Sequence, residues 1–339
     1  MLRSLIKSQQ AGLLWIILLL GAILSLFAGS HPDRITGVPV NNFLNPYTLM
    51  QTATDASFFV IMAVGAMIVI ISGGIDLSVG SVYALSGVIT ALVLRATGGF
   101  GGTPDVLVSG ALCVGIGLTC GLINGVMVVG LRVHPFIVTL GTMWVFRGIA
   151  FVASKAESVL LPRSLTDTVK WTAGSDALYP IPMLVMLAVT GVGAVYLART
   201  VMGRHIFAVG GNVEASRYAG LHIDRILIGV YAVSGLTAGM AAFIGSSYYG
   251  SASCADATGY ELYVIASAVV GGASLRGGRG SAIGAMLGAT LIVLIRQSIR
   301  TLHFDQNYEW ILIGCAIVVA VVLDQTKQRL TERLKSEAG

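Results

Sequence analysis

The residue types that do acid–base, metal or nucleophilic chemistry are all present in this chain, but their spacing does not serve that chemistry. The five His (His31, His134, His205, His222 and His303) are scattered, with no His-x-x-x-His pair to hold a metal. No Ser stands in a Gly-x-Ser-x-Gly turn. No G-x-x-x-x-G-K-[ST] loop exists to cradle ATP phosphates. Cys113, Cys120 and Cys315 lie in apolar runs and Cys254 is alone in a loop, so neither a disulfide framework nor a metal set is read from them. The pattern argues against an enzyme, and against ATP hydrolysis by this chain.

What remains is a handful of polar groups in apolar surroundings, where each must find a partner or a function. Asp76 follows Gly73-Gly74 in "SGGIDLSVGS" and reads as the N-cap of a helix beginning at Leu77, with a pathway or gating role as the alternative. Asn124 in "GLINGVMVVG" needs an interhelical partner; packing is the plainer reading and solute contact the other. His134-Pro135 opens the helix that carries Phe136 and, a dozen residues deeper, Arg147, which either snorkels outward or pairs within the bundle. Tyr260 and Glu261 start a short apolar run that ends at Gly271-Gly272, a pair suited to close helix approach or an unwound turn. Asp76, Asn124, Phe136, Tyr260, Glu261, Gly271 and Gly272 are therefore the candidate pathway or gating positions. Arg296 and Arg300 are expected on the outer side, free to meet acids of another protein.

One stretch is polar beside the apolar runs that flank it, "GRHIFAVGGNVEASRYAGLHIDR" at 203–225. Asn212 is a good N-cap, Glu214 sits in the first turn where the helix dipole favours an acid, and Gly220 stands where a left-handed C-cap is wanted. Gly210 and Gly211 are expected to let the chain turn sharply beforehand. The segment thus reads as loop, two-turn capped helix, loop. Such a helix is marginal alone in water, so either its own span ends or a partner must hold it.

The elements that position these residues follow from composition. Of 339 residues 55% are hydrophobic and 11% charged, against about a quarter charged in soluble domains. So much apolar surface requires lipid as solvent, and the 43 Gly suit close helix approach there. Apolar segments at 11–28, 56–72, 79–95, 106–130, 135–153, 182–199, 226–248, 260–274, 281–299 and 309–323 predict an all-α polytopic membrane protein of about ten transmembrane helices. Segments 56–72 and 260–274 are short and end in Gly pairs, so broken or re-entrant pieces bring the count of full spans to eight or nine. "GGIDLSVGS" at 73–81 and "GGASLRGGRGS" at 271–281 echo each other after these two runs. The run 11–28 reads as an uncleaved first span rather than a signal peptide, because it is long enough to cross and "LFAG" is a poor cleavage site. In the loops, 29–55 is expected to hold a turn and a short interfacial helix at Asn45-Pro46, and 154–181 is the longest outer connection.

With the N-terminus inside, Arg3, Lys7, Arg132, Arg199, Arg204, Arg217, Arg225, Arg276, Arg279 and the basic residues of the 325–339 tail are cytoplasmic, and an even number of spans returns the C-terminus to the same side. The net charge of +5 is explained by this orientation signal, so no nucleic-acid partner is read from it. The whole of 1–339 is a single transmembrane domain.

"SGGIDLSVGS", "HPFIVTLGTMWVFRGIAF", "MGRHIFAVGGNVEASRYAGL" and "GYELYVIASAVVGGASLRGGRGS" resemble, in order, the permease subunits of ribose-type sugar ABC importers. The likeness covers about 56–324. Val213 stands where that family often has a polar residue, and 29–55 has no clear family signature. The resemblance implies that 203–221 holds the coupling helix that docks on an ATPase subunit, with Gly203, Arg204, Gly210, Gly211, Asn212, Glu214, Ala215, Arg217 and Gly220 as the coupling residues. It also implies an ABC ATPase partner that binds ATP and Mg, an extracytoplasmic sugar-binding protein, a second permease subunit (a copy or a paralogue) and a bacterial inner-membrane location. No metal or cofactor is expected on this chain itself. The competing readings are a self-contained secondary carrier or channel, which would need intramembrane titratable pairs or ion ligands on broken helices, and a scaffold that transports nothing.

Overall fold

A computed structural model describes residues 9–32, 37–99, 101–172 and 178–309, together with 311, 312, 314, 315 and 318. Arg3, Lys7, Asp176, the 325–339 tail and most of the expected span 309–323 lie outside the described residues. In chain order the elements are α1 (Gln9–Phe27), β1 (Ser30–Pro32), β2 (Pro39–Asn41), α2 (Pro46–Ile71), α3 (Val79–Thr97), α4 (Thr103–Leu131), α5 (Pro135–Ser154), β3 (Val159–Leu160), α6 (Arg163–Val169), α7 (Ile181–Arg199), α8 (Val201–Gly211), α9 (Val213–Tyr218), α10 (Ile223–Tyr249), β4 (Ser251–Ala252), α11 (Tyr260–Val270) and α12 (Ala282–Thr301). Eight of them, α1 to α5, α7, α10 and α12, are long and apolar enough to cross a membrane. The 260–274 segment is not among them: α11 has 11 residues, about 16 Å of helix at 1.5 Å per residue, half a bilayer core.

The 56–72 segment, read as short, is in fact the inner part of a 26-residue helix. Asn45 accepts the Thr48 N–H at 2.8 Å and Pro46 follows at the first helical position, so the helix starts there and no separate interfacial helix forms. Gln51, Thr52 and Asp55 lower the local hydropathy, yet they are partnered: the Thr52 hydroxyl donates to the Thr48 carbonyl, Gln51 accepts from Tyr248, and Asp55 pairs with Arg300. From Ala56 to Ile71 every residue of α2 is buried. It is the axis of the bundle, packed on by α7, α10, α11 and α12.

The tightest helix pair is α4 with α10. Gly117, Gly121 and Gly125 recur every fourth residue on one stripe of α4. A Cβ on Gly117 would stand 2.8 Å from the Gly239 Cα, and one on Gly125 2.8 Å from the Ile228 Cα. Ordinary carbon contacts need about 3.5–4.0 Å, so the backbones meet only because these positions are bare. At the periphery α1 docks on α12 through Leu24 and Leu294, with Ala28 and Phe43 of the following connection in the same cluster, while Trp15, Leu19 and Leu26 point away from the protein. Two antiparallel strand pairs complete the fold. β1 joins β2, and β3 joins β4 with Val159 opposite Ala252, which ties the 154–181 connection to the chain after α10.

Candidate functional site

The polar stretch begins as helix, not as loop. Thr200 closes α7 and opens α8; its hydroxyl accepts the Gly203 N–H at 3.0 Å and donates to the Tyr196 carbonyl at 2.6 Å. Gly203, Ile206 and Val209, three apart, form the buried face of α8, and this helical spacing of small and apolar residues is why 203–211 coils. Arg204 is exposed on the opposite face. The turn comes one residue after the Gly pair, at Asn212, whose backbone is extended. The Asn212 side chain caps α9 by accepting the Ala215 N–H at 2.9 Å. Glu214 lies in the first turn and Arg217 in the last. At the far end Gly220 has φ 81°, its N–H donates to Arg217, and the Leu221 N–H donates to Ser216. Ser216 is the one buried residue of α9; Tyr218 is 87% exposed. Beside α9 lies a cavity of about 960 Å³, floored by Val128–Gly130 and walled by Arg132, Arg217, Arg225 and Asp224.

Gly210 anchors this knob in the bundle, whereas Gly211 is exposed with open space beside it. A Cβ on Gly210 would run into the Ile71 carbonyl oxygen and stand 2.7 Å from the Gly278 nitrogen. A Cβ on Gly277 would stand 2.6 Å from the Gly210 oxygen and 3.1 Å from the Gly73 Cα. The Gly278 N–H donates to the Ile71 carbonyl at 2.8 Å. Three backbones thus touch with no side chain between them: the end of α2, the end of α8 and the 277–278 turn. The two echoing Gly-rich stretches meet here, at the root of α9. Gly73 and Gly272, with φ of 88° and 99°, end the helices α2 and α11 in the left-handed region that side chains avoid. Gly271 instead packs against Gly284 of α12, so the pair divides the two roles expected of it.

Behind this junction the 72–78 connection turns back into the protein; Ser72, Asp76 and Ser78 are all buried. Helix α3 starts at Val79, two residues later than expected, and Ser78 makes no side-chain cap. Asp76 does the capping from upstream. Its Oδ1 accepts the Ser78 N–H at 2.9 Å and the Ser78 hydroxyl at 2.7 Å, and its Oδ2 accepts the Ser234 hydroxyl at 2.7 Å. Asn124, fully buried, donates to the Ser78 Oγ at 2.7 Å, and Thr139 donates to the Ile75 carbonyl at 3.2 Å. One short loop is therefore bonded to α4, α5 and α10. Asp76→Ala is expected to lower thermal stability in detergent well beyond Ser234→Ala. It orphans three donors in a dry site, each worth about 1–3 kcal/mol, whereas the serine change removes one. Equal melting shifts for the two variants would contradict this.

The starts of α3 and α11 also abut. A Cβ on Gly80 would stand 2.7 Å from the Glu261 Oε2 and 2.5 Å from the Ala257 oxygen. Arg147 pairs within the bundle rather than snorkelling; its Nη1 donates to the Cys254 carbonyl at 2.7 Å and the Asp256 carbonyl at 2.6 Å. Burial pushes the Asp256 carboxyl above its usual range, opposed by the Ser253 N–H and by Arg147. Tyr260 stacks on Phe59. Phe136 is 42% exposed at the start of α5. The sequence held one signal for the junction, the Gly-Gly echo, and none for Ser78, Ser234 or Ile71. Among the described residues no group of three or more His, Cys, Asp or Glu is placed to hold a metal.

Comparison with known proteins places residues 48–321 in a family described as "Branched-chain amino acid transport system / permease component". The chain is 33% identical to the D-allose transport system permease protein AlsC of Escherichia coli (strain K12), covering 91% of this chain and 90% of that protein. It is 34% identical to the ribose import permease protein RbsC of the same organism, over 94% of each. It is 31% identical to the L-arabinose ABC transporter permease protein AraH of Azospirillum brasilense, over 96% of this chain and 91% of that one. No solved structure matches it.

Proposed function

The chain belongs to this family of transport-system permease components, and from that premise we propose that it is the membrane subunit of an ATP-driven importer for a sugar or sugar-like solute. The named sugars of the relatives support the substrate class. The observation that carries the mechanism is α9, a capped, exposed two-turn helix whose root at Gly210 touches the end of α2 and the 277–278 turn. In this reading α9 docks on an ABC ATPase that binds ATP and Mg. An extracytoplasmic binding protein delivers the solute at the opposite end, and a second permease subunit completes the pathway. Closure of the ATPase pushes α9, and the push passes by direct backbone contact to α2 and the 277–278 turn. The energy is the ATPase's differential affinity for two permease states.

The α9 end faces the cytoplasm in this proposal, in the bacterial inner membrane. Arg132, Arg199, Arg204, Arg217, Arg225, Arg276 and Arg279 all belong to segments at that end, which is the charge bias that sets orientation. A secondary carrier is less well supported: the chain has carboxylate–guanidinium pairs at Asp55–Arg300 and Arg296–Glu309, but the deeply buried Asp76 is bonded to hydroxyls and a backbone amide rather than to a titratable partner. The test is uptake of labelled sugar into vesicles carrying the chain with its ATPase and binding protein. Uptake that needs ATP and both partners is expected. Uptake by the purified chain alone would overturn the proposal.

A further inference from the structure

At the end of the bundle opposite α9 there is a cleft of about 390 Å³, within the size range of small-molecule sites. Gln51, Asp55 and Phe59 of α2 form one wall, Arg296 and Arg300 of α12 another, and Tyr249 and Tyr260 close it beside Glu309. Arg296 and Arg300, expected to be free for another protein, are paired here: Arg296 Nε lies 2.6 Å from Glu309, and Arg300 Nη2 lies 3.1 Å from Asp55. The cleft is half-open: the Arg300 side chain is 41% exposed, while Asp55, Arg296 and Glu309 are 12%, 20% and 19% exposed.

Two features fix what such a cleft accepts. Its charges cancel, two carboxylates against two guanidinium groups, and a charged solute would have to break a pair and leave an ion uncompensated. Its polar edge is already set: Gln51 donates to Asp55 at 3.1 Å and accepts from Tyr248 at 3.0 Å, and Tyr263 donates to Glu309 at 3.1 Å. Against this edge stands one flat apolar face, that of the half-buried Tyr260. Phe59 is buried behind it, with the two ring centroids 4.3 Å apart and the Arg296 guanidinium 5.2 Å from the Phe59 centroid, which holds that ring in place. Acyl chains cannot cover two ion pairs, so this wall is not one offered to lipid. A neutral ring with an apolar C–H face and a hydroxylated rim matches both halves at once.

Building on the importer reading above, we propose that this cleft is the solute's first contact on the permease, with one face of a furanose or pyranose ring against Tyr260 and its hydroxyls on Gln51, Asp55 and Glu309. The test is made on the complete importer in vesicles, with ribose, allose or arabinose as probe and saturating loaded binding protein. Tyr260→Ala is expected to lower the maximal uptake rate at least tenfold, and Tyr260→Phe, which keeps the ring, to recover most of it. Independently, a thiol at Gln51→Cys, in a Cys315→Ser background because the other Cys are buried, is expected to react several-fold more slowly with an impermeant reagent while sugar-loaded binding protein is engaged than with the unloaded form. Wild-type import with an unaltered Tyr260→Ala rate, or labelling indifferent to sugar, overturns the assignment while leaving the importer intact. A Tyr260→Ala defect only in the concentration of binding protein required makes the cleft a protein-docking site and overturns it too. A wild-type complex that imports none of the sugars refutes the importer reading, and this assignment with it.

Discussion

Gly210→Ala is expected to cut solute uptake by at least tenfold, while Gly211→Ala transports close to wild type. The two positions are neighbours in sequence and equivalent by composition, yet a methyl group at Gly210 meets the Ile71 carbonyl and the Gly278 nitrogen, whereas at Gly211 it meets nothing within 4 Å. The obstacles at Gly210 are backbone, which yields less readily than a side chain. Overpacking of this kind costs about 1–3 kcal/mol. Relief requires prising α8 off the end of α2, which stretches the Gly278–Ile71 hydrogen bond and loosens the contact proposed to carry the ATPase's push. Uptake in vesicles, read beside the partner's ATP hydrolysis, checks this. Hydrolysis that continues without transport is the expected signature. Equal transport by the two variants would remove the junction from the mechanism.

Glu214→Arg is expected to leave insertion and folding intact and to uncouple ATP hydrolysis from uptake, again by an order of magnitude. Glu214 is exposed, so little packing is lost. The change in helix-dipole energy is about 0.3–1 kcal/mol at an exposed first turn, too small to unfold a bundle whose described residues alone supply eight membrane-length helices. What changes is the sign of the charge on the surface offered to the ATPase. Gly220→Pro acts at the other end of α9, where φ is 81° and the N–H donates to Arg217. Proline fixes φ near −65° and has no N–H, so the cap is lost and α9 frays. A melting temperature in detergent within a few degrees of wild type, together with lost uptake, is the outcome expected of Glu214→Arg. Wild-type uptake by either variant would mean that α9 carries no force.

The local features were legible in the chain. Membrane spans depend on about twenty consecutive side chains, and caps on a donor and acceptor within three residues. The Asn212 cap, the Glu214 first turn and the Gly220 left-handed end are therefore present where the residues place them. The breaks after Ile71 and Val270 were marked by Gly pairs for the same reason. The start of α2 was misjudged because Gln51 and Asp55 look like loop residues until their remote partners Tyr248 and Arg300 are in place.

Only the tertiary structure decided which bare backbones touch and which polar groups share a site. Gly210 meets residues 139 positions before it and 68 after it, and Asp76 is held by a serine 158 positions away. Asp55 and Arg300 are 245 apart. No local pattern encodes such distances. In a chain dissolved in lipid, moreover, the outward face of a helix is as apolar as the inward one, so the amphipathic stripe that reveals the core side of a soluble helix is missing. The sequence determined that helices form and where they stop. Which of their faces meet was settled by close packing of small residues and by the need to pair every buried polar group.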